Sequence, residues 1–150
     1  MKCFLLSMAA LFFLTIAAWG QVAIDRSDIL KDPEWQSVYD AYTPDAGLIA
    51  ILREQDRDLR IDVYLGLWCS DSRNHVPVFL KILDSAGLSR LKVNFFTVER
   101  KKEAGRQFFV PERKVERVPT FIFLVGEDEI GRIVENPLKT ILEDMLEILR

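Results

Sequence analysis

The sequence predicts an α/β domain: a three-layer arrangement with a central mixed sheet of about four strands and helices on both faces. Three observations carry that prediction. The apolar run from Ile61 to Leu67, the amphipathic stretch from Asp71 to Ala86 and the second apolar run from Leu91 to Val98 form a βαβ pattern. Thr120 to Val125 and Glu129 to Val134 flank Gly126-Glu127-Asp128, which reads as a short hairpin turn. Leu138 to Arg150 then closes the chain as an amphipathic helix.

The first twenty residues read as a leader rather than as part of the domain. Met1-Lys2 is a short positive start, and the apolar run Phe4 to Ala18 is broken only by Ser7 and Thr15. That run is shorter than the ~20 residues a helix needs to cross a bilayer. Ala18 and Gly20 place small side chains at the two positions a signal peptidase reads, so residues 1–20 are expected to be a signal peptide and Gln21 the first residue of the mature chain. Export to the periplasm or outside the cell follows, with no stable membrane anchor after cleavage. Of the two cysteines, Cys3 leaves with the leader and Cys69 remains alone. An exported chain with one cysteine has a thiol that is free, reactive or bonded to another molecule, so a disulfide-linked dimer through Cys69 is open to it.

Residues 21–150 read as a single domain. Asp32-Pro33-Glu34 is a helix start, a capping carboxylate followed by proline where a missing N–H costs nothing. Trp35, Val38, Tyr39 and Tyr42 follow at helical spacing. Thr43-Pro44-Asp45 repeats the signal before Leu48, Ile49, Ile51 and Leu52. Together they predict an N-terminal helical extension over about 32–56. The near-continuous apolar character of Ile61 to Leu67 marks a strand buried on both faces. Gly87 ends the helix after it, and the charged segment Arg100 to Val118 gives no clear pattern beyond a partly helical one.

Composition narrows the chemistry. A formal charge of −3 disfavours a nucleic-acid partner, and two cysteines with one histidine exclude a disulfide-rich scaffold and a cysteine-rich zinc module. No metal site or cofactor is expected. The chemistry falls where the first long strand meets its helix, at Leu67-Trp68-Cys69-Ser70-Asp71-Ser72-Arg73. Unpaired backbone N–H groups at a helix start favour a thiolate, the nucleophilic form; the bland alternative is a small buried residue. Asp71 opposes the thiolate or simply suits the first helical turn, and Arg73 favours it where its side chain folds back. His75 shares a helix face with Ser72 by spacing; it reads as a solvent-facing residue before it reads as a base.

Trp68-Cys69 at a strand end, Pro77 eight residues after the cysteine, and Val118-Pro119-Thr120 opening a later strand resemble the thioredoxin superfamily. Gly126 and the C-terminal helix fit as well. The narrower resemblance is to exported bacterial thioredoxin-like proteins carrying Trp-Cys-x-Asp-Ser. The resemblance implies a thioredoxin-like sandwich, with Cys69 as attacking cysteine, Pro119 in a cis bond, Pro77 kinking the helix, and Trp68, Val118, Pro119 and Thr120 as the substrate-binding surface. Two departures qualify it. Ser72 stands in place of the resolving cysteine; it can hydrogen-bond to Cys69 but cannot attack a mixed disulfide. Val63 stands where the family buries an acid, and Asp62 beside it is expected on the opposite face.

Two readings stay open. One is a monothiol exchange protein in which Cys69, assisted by Ser72, attacks protein or small-molecule disulfides and an external thiol or reductant resolves the adduct. The other is a non-catalytic module that binds extended segments beside Pro119. A peroxidase is set aside, because related peroxidases carry a threonine where this chain has Gly66.

Overall fold

The computed structural model describes residues 21–100 and 109–150. Residues 1–20, expected to be a leader, and part of the charged 100–118 segment therefore lie outside the described residues. In chain order the elements are β1 (Gln21–Ile24), α1 (Arg26–Ile29), α2 (Pro33–Ala41), α3 (Ala46–Arg53), β2 (Leu59–Leu65), α4 (Ser70–Ala86), β3 (Leu91–Val98), a 3-10 turn (Pro111–Arg113), β4 (Thr120–Val125), β5 (Asp128–Val134) and α5 (Ile141–Leu149). One mixed sheet runs in the order β1-β3-β2-β4-β5, with β2 and β3 parallel and every other pair antiparallel.

The helix starts are those the capping residues specify. Asp32 accepts from the Glu34 N–H at 2.8 Å with Pro33 at the first position of α2, and Asp45 accepts from the Leu48 N–H at 2.9 Å to open α3. Gly87 ends α4 at φ 64°, a left-handed conformation that only glycine adopts at little cost.

Alternation along β2 sorts the core. Ile61, Val63 and Leu65 face one way and join the buried faces of α2 (Trp35), α3 (Ile49, Leu52), α4 (Val76, Phe79, Leu80) and α5 (Met145, Leu146, Leu149). Tyr64 faces the other way, with Ile122 and Leu124 of β4 and Val98 of β3, beneath Val110, Val115 and Val118. The segment without a clear sequence pattern thus supplies the cover of that second face.

The sheet has five strands rather than the expected four. The addition is β1, which pairs with the outer edge of β3 from Gln21↔Val98 to Ile24↔Phe95. Four residues of weak alternation carry no strand signal of their own. They extend because a partner edge supplies their hydrogen bonds.

Asp84 on α4 ties the N-terminal elements to the helix. It accepts two hydrogen bonds from Arg26, at 2.9 and 2.7 Å, and one from the Tyr39 hydroxyl at 2.6 Å. The Arg26 guanidinium, then the Tyr39 hydroxyl, hold its carboxyl below the ordinary carboxylate range. Because the folded value is the lower one, this contribution is present above the unfolded carboxylate value and is lost as pH falls through the folded one. Asp84→Asn is expected to cost about 1 kcal/mol at neutral pH, a figure reduced for the solvent that screens the pair. Urea midpoints of the two proteins should converge on acidification; a gap that widened would contradict this assignment.

Candidate functional site

Cys69 sits at the junction between β2 and α4. The strand ends at Leu65, the chain turns through Gly66, Leu67 and Trp68, and Cys69 is the N-cap of α4 with extended backbone (φ −97°, ψ 124°). Two backbone bonds fix the turn: Cys69 N–H to the Gly66 carbonyl at 2.9 Å, and Arg73 N–H to the Cys69 carbonyl at 3.1 Å. The thiol is free and half-buried, packed against the second-face cluster. Its side chain makes no capping hydrogen bond to the N–H groups of α4. Instead Sγ donates to the Val118 carbonyl at 3.2 Å.

The Val118–Pro119 peptide bond is cis, as the resemblance implied. Val118, Pro119 and Thr120 are all buried. The Pro119 carbonyl accepts from the Glu135 N–H at 2.7 Å, and the Thr120 hydroxyl donates to the Arg117 carbonyl at 2.7 Å. An Arg117–Glu135 ion pair (2.6 Å) spans the same corner. The structure thus places Cys69 directly against Val118, residues 49 apart in sequence, at the edge where the parallel strands end.

Ser72 lies elsewhere in the network than its helical spacing suggests. It is fully buried, and its hydroxyl oxygen accepts from the Gly66 N–H at 3.1 Å. No hydrogen bond joins it to Cys69 among the described residues. The Ser72 hydroxyl serves the turn, satisfying a buried N–H that would otherwise be an orphan.

Trp68 is 42% exposed and lies across the end of β3, its indole N–H donating to the Val98 carbonyl at 3.1 Å. Phe109 packs at 6.1 Å between ring centroids, and the Arg100 guanidinium stands 5.5 Å over the indole. The ring occupies this position because residue 66 has no side chain: a Cβ there would lie 2.8 Å from Trp68 Cε2. Gly66 is the functional position that pattern reasoning underused. Its signal was present, a glycine at the end of an apolar strand, which often marks a close approach.

The remaining expectations separate. Arg73 pairs with Glu34 of α2 rather than folding back toward the thiol. Asp71 is a partly buried residue of the first turn of α4. His75 exchanges a 3.0 Å hydrogen bond with Asn136, so it ties α4 to the loop after β5. Asp62 is 4% exposed on the Tyr64 side of the sheet, accepting from Asn94 Nδ2 at 2.8 Å, while Val63 lies on the helical side. Burial, and secondarily the Asp62 charge, raise the Tyr64 phenol above its ordinary value. Among the described residues no cluster of three His, Cys, Asp or Glu side chains could hold a metal ion.

Comparison with known proteins agrees with this fold. A family model described as thioredoxin matches residues 21–147. No curated protein matches the chain. Among solved structures, a protein of unknown function from Pseudomonas aeruginosa is similar over 85% of this chain and 90% of its own, with a TM-score of 0.59 at 16% identity. An HIV epitope-scaffold covers 85% of this chain and 83% of its own, with a TM-score of 0.57 at 17% identity. A thioredoxin from Fasciola hepatica covers 70% of this chain and 93% of its own, at 21% identity and a TM-score of 0.44. With most of its length under the family model, the chain belongs to the thioredoxin family.

Proposed function

We propose that this chain is an exported monothiol member of its family, which exchanges thiols and disulfides through Cys69 and relies on an external thiol for resolution. The observation that carries the reading is the contact between the Cys69 thiol and the Val118 carbonyl beside Pro119. The sulfur is at a helix start, partly accessible, and next to a backbone corner with which an extended segment can pair.

The steps balance without a cofactor. Cys69 loses its proton to solvent, and the thiolate attacks one sulfur of a substrate disulfide. A new S–S bond forms to Cys69, the old one breaks, and the departing sulfur leaves as a thiolate that takes up a proton. Losing the S–H also removes the donor that occupied the Val118 carbonyl. That acceptor then becomes available to a backbone N–H of the captured segment, so capture and backbone pairing support each other. Ser72 has no thiol to release the adduct. Release therefore needs a second thiol from a protein or small molecule, or a second copy of this chain, in which case a disulfide-linked dimer results. Residues 1–20 are proposed to direct export and to be removed, and a net acidic chain is not proposed to bind nucleic acid.

The test is accumulation of adducts. Incubated with a glutathione-type disulfide or a peptide disulfide, the native protein should form mixed disulfides that persist until a free thiol is added, and Cys69→Ser should form none. Intact mass reads the adduct and also reports whether the exported chain begins at Gln21. If Cys69 reacts with a small alkylating reagent yet captures no disulfide, the exchange reading fails and the non-catalytic module that binds extended segments takes its place.

A further inference from the structure

Glu135 holds a backbone conformation that its side chain does not favour. It follows the last residue of β5 with φ 56°, in the left-handed region where a residue with a Cβ meets a steric penalty that glycine is spared. Among the described residues the other non-glycine in that region is Lys114, which closes the 3-10 turn. Strain of this kind persists where the surroundings over-determine it, and it collects at functional sites. The surroundings of Glu135 are the corner that faces Cys69.

Glu135 grips that corner at two points. Its N–H donates to the Pro119 carbonyl at 2.7 Å, and its carboxylate accepts from Arg117 Nη1 at 2.6 Å. The two contacts bracket Val118, the residue between Arg117 and Pro119, whose carbonyl accepts the Cys69 S–H at 3.2 Å. The Thr120 hydroxyl closes the same bend on the Arg117 carbonyl at 2.7 Å. The next residue reaches the other side of the contact: Asn136 shares a 3.0 Å hydrogen bond with His75 of α4, the helix that Cys69 caps. Residues 135 and 136 thus tie together the two elements that meet at the sulfur. With side chains 63% and 31% exposed, the Arg117–Glu135 pair contributes little to stability by itself. What it does is place the corner.

We propose that Glu135 is a positioning residue for the thiol: through Arg117 and the Pro119 carbonyl it fixes the Val118 carbonyl as the acceptor of the Cys69 S–H. Its use in the protein rests on the exchange chemistry above, since that hydrogen bond must break before the sulfur attacks. A hydrogen bond donated by the neutral form of a group favours that form. A firmly held acceptor therefore restrains the sulfur, and a loosened corner releases it.

The experiment uses iodoacetamide at one fixed pH. Cys69 gives its proton to solvent, the sulfur bonds to the reagent carbon, and iodide leaves; the rate counted is the part absent from the matching Cys69→Ser protein. Glu135→Asn supplies a side chain that tolerates the left-handed backbone but is shorter and uncharged, and Arg117→Met removes the other half of the pair. Each should speed alkylation of Cys69 about fivefold, the scale of one modest hydrogen bond. The double variant should go no faster than either. Glu135→Gln, which can still accept from Arg117, should stay near the native rate. Charge acting directly on the sulfur would instead make Glu135→Asn faster and Arg117→Met slower. The Cys69 S–H stretch, isolated as an infrared difference from the matching Cys69→Ser protein, should move toward that of a free thiol in both variants and stay in place in Glu135→Gln. Opposed changes in rate overturn the assignment. So does an unmoved S–H band, even where urea midpoints fall, because the role would then be structural only. Should Glu135→Asn fail to fold, Arg117→Met and Glu135→Gln decide the matter by the same two readouts. None of these measurements uses a disulfide. If they come out as expected and the native protein still traps no mixed disulfide, the exchange reading falls and the positioning of the thiol stands.

Discussion

On the proposed exchange chemistry, Ser72→Cys should convert a trap into a turnover catalyst. The native protein should hold its mixed disulfides, whereas the variant should resolve them internally and, with a dithiol reductant, reduce protein disulfides catalytically. Position 72 is in the first turn of α4, three residues after the N-cap Cys69, so an introduced thiol that leaves the Gly66 N–H can turn toward Cys69 and form an S–S bond. The substitution also has a structural cost. The Ser72 hydroxyl is fully buried and accepts from the Gly66 N–H at 3.1 Å. Sulfur is a weaker acceptor, so the reduced variant should lose about 1–3 kcal/mol as that N–H goes poorly satisfied. Ser72→Ala shares the cost and gains no turnover, which separates the two effects. The paired measurement is insulin-type reduction alongside denaturant midpoints. A variant that forms no bond between Cys69 and the introduced thiol under oxidising conditions would contradict the site geometry.

Gly66→Ala should displace Trp68. The new Cβ would lie 2.8 Å from Cε2, closer than real Cβ contacts come, and a tight 3.1 Å from Nε1, so the ring must shift from its place over residue 66. Its hydrogen bond to the Val98 carbonyl goes with it, as does its packing against Phe109. The expected loss is about 1–3 kcal/mol, the usual range for forcing extra volume into a fitted contact. In solution the indole N–H resonance should move toward that of an exposed tryptophan, and capture of peptide disulfides should slow. The Gly66 N–H and carbonyl remain, so the Ser72 bond and the Cys69 turn should survive. An unshifted indole resonance with native stability would show that the ring does not rest on residue 66.

The sequence was most legible where local chemistry and burial agree. Asp32-Pro33 and Asp45 start their helices as capping chemistry requires, and Gly87 stops α4. The alternation that put Asp62 and Val63 on opposite faces is seen in β2. Cys69 stood out by its position at an element boundary, and the Val-Pro-Thr segment only through the resemblance to the thioredoxin superfamily. Less legible was β1, whose four residues are extended only because the β3 edge is beside them. Also hidden was the cover of the second face, where Val110, Val115 and Val118 are dispersed among charges and show no period.

By itself, then, the sequence determined the βαβ-hairpin-helix plan, the lone thiol of residues 21–150 at a strand-to-helix junction, and the absence of a second thiol at position 72. These follow from periodicity, capping and the identity of single residues, all of which act over a few positions. Only the tertiary structure decided which group each site residue meets. The Cys69 S–H goes to Val118, 49 residues away, the Ser72 hydroxyl to Gly66, Arg73 to Glu34, and Trp68 to the end of β3. Sequence alone had allowed Ser72 a hydrogen bond to the sulfur, and Arg73 a contact where its side chain folds back. Buried and charged groups instead take the partners that best replace lost water, and strand pairing determines which partners are near.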